Sequence, residues 1–407
     1  MNLKQIGPFA GMNNRRPDTR LANADGSTFL RNAVNVDLTA SGTLKRRPGV
    51  ELAIAGADAH SLWGSDQAAY YIDGTDLCEV AQGIKKNVIR SGLIPGRRAS
   101  FARVGEDVYW SNGIVIERIT AGISGAAGAP TPNPVPVVTY GSGGSLPAGI
   151  YQVAFTQVID GEESGSTWPQ MIEIPANGRI DVSGIDAGTA VNVYMTPANG
   201  DVLFLVAELD GASSTTFTVM PALRRQIPTL GLCPMPAGHI VRYYNGRLLV
   251  ARDNILYYSE PYAPALHNPM RGYIPFPERI TVMEPCDNGV YVASDTTRWL
   301  DGPDIDKAEA VEVLPYGAVE GTGSCPENDK AVYWFSTRGM VIGDASGSVK
   351  NIQEDTVAVD PAAVGAALYR EQDGLRQAIT SLFGTEASVA AATSFMDAEI
   401  VRKESML

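Results

Sequence analysis

The chain of 407 residues carries a formal net charge of −13, with 44% hydrophobic and 19% charged residues. This balance excludes a disordered chain. It also excludes a protein that coats nucleic acid, which needs a Lys/Arg surplus, although an acidic wall that keeps DNA from sticking is still allowed.

Residues 1–28 read as a polar, turn-rich N-terminal arm or lead-in strand that contains Arg15, Arg16 and Arg20. The stretch 29–50 reads as a β-hairpin. Val34, Val36 and Leu38 alternate with polar residues, Ala40-Ser41-Gly42 turns the chain, and Leu44 opens the return strand with Lys45, Arg46 and Arg47. Such short charge runs suit solvated strand ends or an ionic contact to an acidic neighbouring subunit.

A strand–turn–strand phrase then recurs at 62–80, 101–119, 241–260, 282–302 and 325–343. Each copy reads as an apolar strand, a polar turn, a strand rich in Val and Tyr, a second turn and a third strand. The turns at Asp73-Gly74, Asn112-Gly113, Asp253-Asn254, Asp295 and Arg338 keep a period of about 40 residues once an insert of about 100 is removed. That period predicts a β-propeller of about five or six blades. The paired aromatics Tyr70-Tyr71, Tyr109-Trp110, Tyr257-Tyr258 and Tyr333-Trp334 recur in register with it, which predicts core packing between blades rather than a sugar-stacking site.

Between the second and third copies, 121–136 is almost wholly Gly, Ala, Pro and small polar residues, which predicts a linker. Short strands over 149–157, 170–174, 179–182, 190–195, 203–207 and 215–219 predict an inserted β-sandwich. The glycine-rich 141–144 reads as a turn, and 228–238 as a second Pro-rich exit. Near the C-terminus, the Asp373-Gly374 turn and the continuing period favour a hairpin over 364–382, although Ala and Leu favour helix there. The segment 394–403 is expected as a strand that closes the first blade. The domain plan is therefore 1–28 arm, 29–120 first part of the propeller, 121–236 linkers plus sandwich, and 237–407 second part and closing strand.

Chemistry is sparse. His60, His239 and His267 are isolated, and no Ser occupies a G-x-S-x-G elbow. Cys78, Cys233, Cys286 and Cys325 form no CxxC and are expected as buried free thiols of a chain folded in a reducing cytoplasm. No apolar run has signal-peptide or membrane-spanning length. The glycine-rich 343–347 reads as a turn, and the Asp-box-like phrases at 294–299 and 163–168 as coincidences. The expectation is a non-enzyme with no catalytic residues, no metal and no cofactor.

Three phrases carry a family likeness: 6–50 with its G-M-N-N, R-N-A-V-N-V-D and G-T-L-K-R-R-P-G elements, 246–269 (GRLLVARDNILYYSEPYAPALHNP), and 394–403 (SFMDAEIVRK). In these the chain resembles tailed-bacteriophage virion proteins of the β-propeller hub or nozzle type. The likeness touches most of the propeller and not the insert, whose IYQVAFTQVIDGEESG and AVNVYMTPANGDVLFLVAEL look like strand pairs of fibronectin-type-III modules. The resemblance implies a non-catalytic structural role in the phage tail, as hub, nozzle or tip. It implies partners among its own copies and neighbouring tail proteins, and localisation to the virion after assembly in the host cytoplasm. Membrane insertion and sequence-specific nucleic-acid binding are not implied. Arg15, Arg16, Arg20, Lys45, Arg46 and Arg47 are the candidate subunit-interface residues. The alternatives are a receptor-binding protein that engages a host pilus or surface glycan, and a propeller glycosidase or lyase with paired carboxylates.

Overall fold

The repeated phrases fold into antiparallel meanders. The computed structural model describes residues 7–39, 41–47, 49, 51–326, 331–360, 362–372, 375–384 and 401–402. Blade I comprises Ala59–Gly64, Ala69–Asp73, Asp76–Ala81 and Lys85–Arg90, and blade II Ser100–Val104, Asp107–Ser111, Ile116–Thr120 and Ile123–Ala126. Blade III comprises Ile240–Tyr244, Arg247–Arg252, Ile255–Tyr258 and Tyr273–Pro275, and blade IV Val282–Cys286, Gly289–Ala293, Thr297–Asp301 and Glu309–Leu314. Blade V holds Val332–Ser336, Gly339–Gly343 and Val349–Asn351, with bridges from Ala318 and Ser324 standing in for a regular first strand. Blade VI is the long hairpin Ala362–Gln372 and Leu375–Gly384, edged by Val401–Arg402.

The first strands of blades I to IV touch one another in succession, so they line the centre while later strands radiate outward. This is a β-propeller with an inserted domain in an all-β chain. All five turns singled out in the sequence fall at the same link, between the second and third strands of a blade.

The second strands explain three of the four aromatic pairs, while Tyr257-Tyr258 lies on the third strand of blade III. The second strands of blades II to V are covered on both faces by neighbouring blades, so they carry unbroken apolar runs rather than alternating ones. Neighbouring residues send their side chains to opposite sides. Trp110 enters the apolar cluster shared with blade I and Tyr109 the one shared with blade III. Trp334 packs toward blade IV against Tyr291, with ring centroids 5.1 Å apart, and Tyr333 toward blade VI. Five successive seams, from I–II to V–VI, are each filled by one such cluster.

The insert is built from a three-stranded sheet (Val137–Leu146, Gly178–Ser183, Ser214–Phe217) facing a five-stranded one. The latter comprises Gly149–Ile159, Glu162–Glu163, Gln170–Ile174, Ala190–Met195 and Phe204–Leu209. Tyr151, Val153, Phe155, Ile180, Val193 and Met195 are fully buried between them.

Several expectations change. The first strand of the sandwich passes through 141–144, which had read as a turn. Glycine is needed there because a Cβ on Gly141 would meet Arg179 and Asp181, and one on Gly144 the Gly178 carbonyl. The supposed linker 121–136 supplies the outer strand of blade II, and Ala127 and Ala129 are buried. In the second exit, Cys233–Pro234 pairs with Leu266–His267 and Met235 is buried against blades II and III. The insert is therefore docked on the propeller, with Arg118 of blade II ion-paired to Glu162. The hairpin around Gln372 forms as expected. Of the expected closing strand, Val401 and Arg402 are described, and they extend blade VI rather than blade I. The four cysteines are less uniform than expected: Cys78 is buried, Cys233 and Cys286 half-buried, and Cys325 exposed.

Candidate functional site

The N-terminal residues make a small folded module rather than an extended arm. Phe9–Met12 runs parallel to Thr28–Leu30, and Val36–Leu38 pairs with Leu44–Arg46. Two asparagines fix the module. The buried Asn13 accepts from the amides of Arg15 (3.2 Å) and Arg16 (2.9 Å) through Oδ1. Asn14 copies a strand: its side chain donates to the Ala358 carbonyl (2.8 Å) and accepts from the Ala358 amide (2.6 Å). Its own amide donates to Thr356 O (3.0 Å). The start of the described chain is thus fastened beside the exit of blade V.

Of the six candidate interface residues, Arg15, Arg16, Arg20, Lys45 and Arg46 are exposed. Arg16 lies 5.0 Å over the Phe29 ring. Arg47 differs: it is half-buried and donates to Asp37 (3.2 Å), whose other oxygen faces Arg370 of blade VI (3.7 Å). Arg47 thus braces Asp37 within the module, Asp37 reaches the propeller through Arg370, and the other five candidates are the exposed ones.

At the centre of the disc, three first strands meet in one polar contact. Arg242 of blade III lies against the Glu284 carboxylate of blade IV, with Nε to Oε2 at 2.8 Å, and donates to Ser100 Oγ of blade II (3.0 Å). Glu284 is 2% exposed. Burial works against the guanidinium charge, and the attached carboxylate more than restores it. Nearby, Arg98 donates to the Gly365 carbonyl of blade VI (2.7 Å). These partners are too far apart in sequence for any local pattern to have found them.

The insert carries a second polar centre. Glu163 Oε1 accepts from Thr156 Oγ1 (2.5 Å), Tyr194 OH (2.5 Å) and Asn192 Nδ2 (3.2 Å), while Oε2 accepts from Arg225 (2.8 Å). Burial pushes this carboxyl up, and the four hydrogen bonds together outweigh it, so it stays ionised below the ordinary glutamate range. An open cleft of about 380 Å³ lies over it, with Glu208 and Asp210 on its wall. Four hydrogen bonds hold this carboxylate in place, so the cleft presents a fixed charge pattern.

His60 Nδ1 lies 2.8 Å from Ser61 Oγ, and the other two histidines are held by the backbone. His239 Nε2 is 2.6 Å from the Ile280 carbonyl, and His267 Nδ1 is 3.2 Å from the Cys233 carbonyl; burial holds both below the usual imidazole range. Burial pushes the Cys286 thiol up to about 11. Among the described residues no group of three His, Cys, Asp or Glu could hold a metal ion, and no helix is long and apolar enough to cross a membrane.

No protein-family model and no curated protein matches the chain. Among solved structures, the chain is similar to the Neurospora crassa Pan2 WD40 domain at 9% identity and a TM-score of 0.32, over 79% of this chain and 85% of that one. It is similar to BBS1N in complex with ARL6DN at 12% identity and 0.31, over 80% and 89%. It is also similar to the computationally designed Ika8 protein at 10% identity and 0.28, over 80% and 95%. The propeller plan stands on the sheets and seams described above.

Proposed function

We propose that this chain is a non-catalytic structural component of a bacteriophage tail, acting as a hub, nozzle or tip subunit. The observation that carries the reading is the N-terminal phrase, which resembles the opening of such proteins. Of its two G-M-N-N asparagines, Asn13 shapes the turn through Arg15 and Arg16 and Asn14 fastens the module to the propeller, while Arg15, Arg16, Arg20, Lys45 and Arg46 face outward. A rigid disc with a fixed charged face suits assembly by shape and charge. The insert, with facing sheets of three and five strands, suits a fibronectin-type-III-like decoration. Proteomics of purified virions tests the reading: the chain should be present at the constant stoichiometry of a tail ring, and its absence from intact particles ends the proposal.

A specific observation favours a second, compatible role in host attachment. Trp168 is 80% exposed and Met171, on an edge strand of the insert, is 69% exposed. Aromatic residues and Met are enriched at protein contact surfaces relative to the rest of the surface. Particles carrying Trp168→Ala with Met171→Ala should assemble normally yet adsorb to host cells several-fold more slowly. Unchanged adsorption makes the insert decoration.

A further inference from the structure

Charge is distributed unevenly along the chain. The first 50 residues hold eight Lys and Arg against three Asp and Glu, while the whole chain holds 32 against 45. The N-terminal module is thus basic and the body to which it is fastened strongly acidic. Two strand edges that are unpaired among the described residues repeat this contrast locally. Leu44–Arg46 pairs only with Val36–Leu38 among the described residues, and all three of its side chains are exposed. Glu309–Leu314 is the outermost strand of blade IV, exposed from Glu309 to Glu312. Among the described residues, neither Lys45, Arg46, Glu309 nor Glu312 makes an ion pair. Each edge also offers one exposed aliphatic side chain among its charges: Leu44 at 39% and Val311 at 51%.

We infer that the 44–46 edge of one copy adds to the 309–314 edge of a second copy. Lys45 and Arg46 would face Glu309 and Glu312, and Leu44 would cover Val311. An unpaired edge is a template for another strand, and a single-sign charge on it repels its own kind while leaving the opposite edge as a partner. The two edges lie on different parts of the molecule, so the contact is heterologous. It propagates head to tail and closes into a ring if the rotation allows. This inference rests on the tail-subunit reading above and names the surface through which copies meet.

The test uses the full chain and light scattering after size exclusion. Lys45→Glu with Arg46→Glu, and separately Glu309→Lys with Glu312→Lys, should each weaken self-association by about a hundredfold, because like charges then face one another. An equimolar mixture of the two variants should reassemble, since each swapped edge meets its complement on the other variant. The parent should also dissociate as salt is raised. Unchanged thermal melting in the variants shows that the fold is intact. Reversal variants that assemble like the parent, or a mixture that stays monomeric, overturn the inference. Either result leaves the virion reading standing, because presence in the particle is measured separately.

Discussion

The propeller is held in two different ways. From blade I round to blade VI, every seam is an apolar cluster contributed by both neighbours. Where the first and last parts of the described chain meet, the described side-chain contacts are polar: Asn14 to Ala358, Asp37 to Arg370, and Arg98, between blades I and II, to Gly365. Apolar seams gain from area and tolerate little loss of volume, whereas polar contacts exchange one hydrogen bond for another with water and contribute little each. The closing region is therefore the part of the disc that opens at least cost. It is also the part that carries the basic module.

The largest expected effect breaks an apolar seam. Trp334→Ala should lower unfolding free energy by about 3–5 kcal/mol, because a fully buried indole between blades IV and V leaves a cavity. Urea titration measures it, and a loss below about 1 kcal/mol would mean that the seam collapses onto itself. At the axis, Glu284→Gln should cost roughly 3 kcal/mol by leaving Arg242 unpaired. Replacing both residues by apolar ones should cost less than the single change.

The closing region should respond more weakly. Asn14→Ala should cost about 1 kcal/mol, with faster amide exchange confined to the neighbourhood of Ala358. Global exchange in blades II to IV would contradict the contrast between the two kinds of seam. Arg15→Ala, on the exposed face, should stay within about 0.5 kcal/mol.

The smallest effect appears in acid. The Lys86 ammonium (2.7 Å) and the amides of Asp58 and Ala57 hold the Asp73 carboxyl down to about 2. Because the folded value lies below the unfolded one, Asp73 stabilises the fold above pH about 4, and this is lost as pH falls toward about 2. The stability difference between parent and Asp73→Asn should be constant near neutrality and shrink across that window. A difference that grows in acid would refute the assignment.

What could be read in advance follows from where side chains are doubly enclosed. The second strands declare themselves because neighbours cover both their faces, which forces runs such as VYW and VYWFS. The outer strands do not. Lys85–Arg90 and Glu309–Leu314 are solvent-facing along most of their length, so the repeated phrase does not extend over them. The glycines of 141–144 suggested a turn because their reason, the close approach of Arg179, Asp181 and Gly178, lies on another strand. Arg242 and Glu284 escaped notice because an ion pair between blades leaves no trace in local spacing.

The sequence by itself determined the all-β class, the repeat and the interruption, since those depend on alternation and turn chemistry between near neighbours along the chain. Only the tertiary structure decided which strand edges stay open, how the insert is docked, which contacts tie the N-terminal module down and which five of its basic residues face outward. Those outcomes depend on what lies opposite each side chain in space, and that is set by packing between segments hundreds of residues apart.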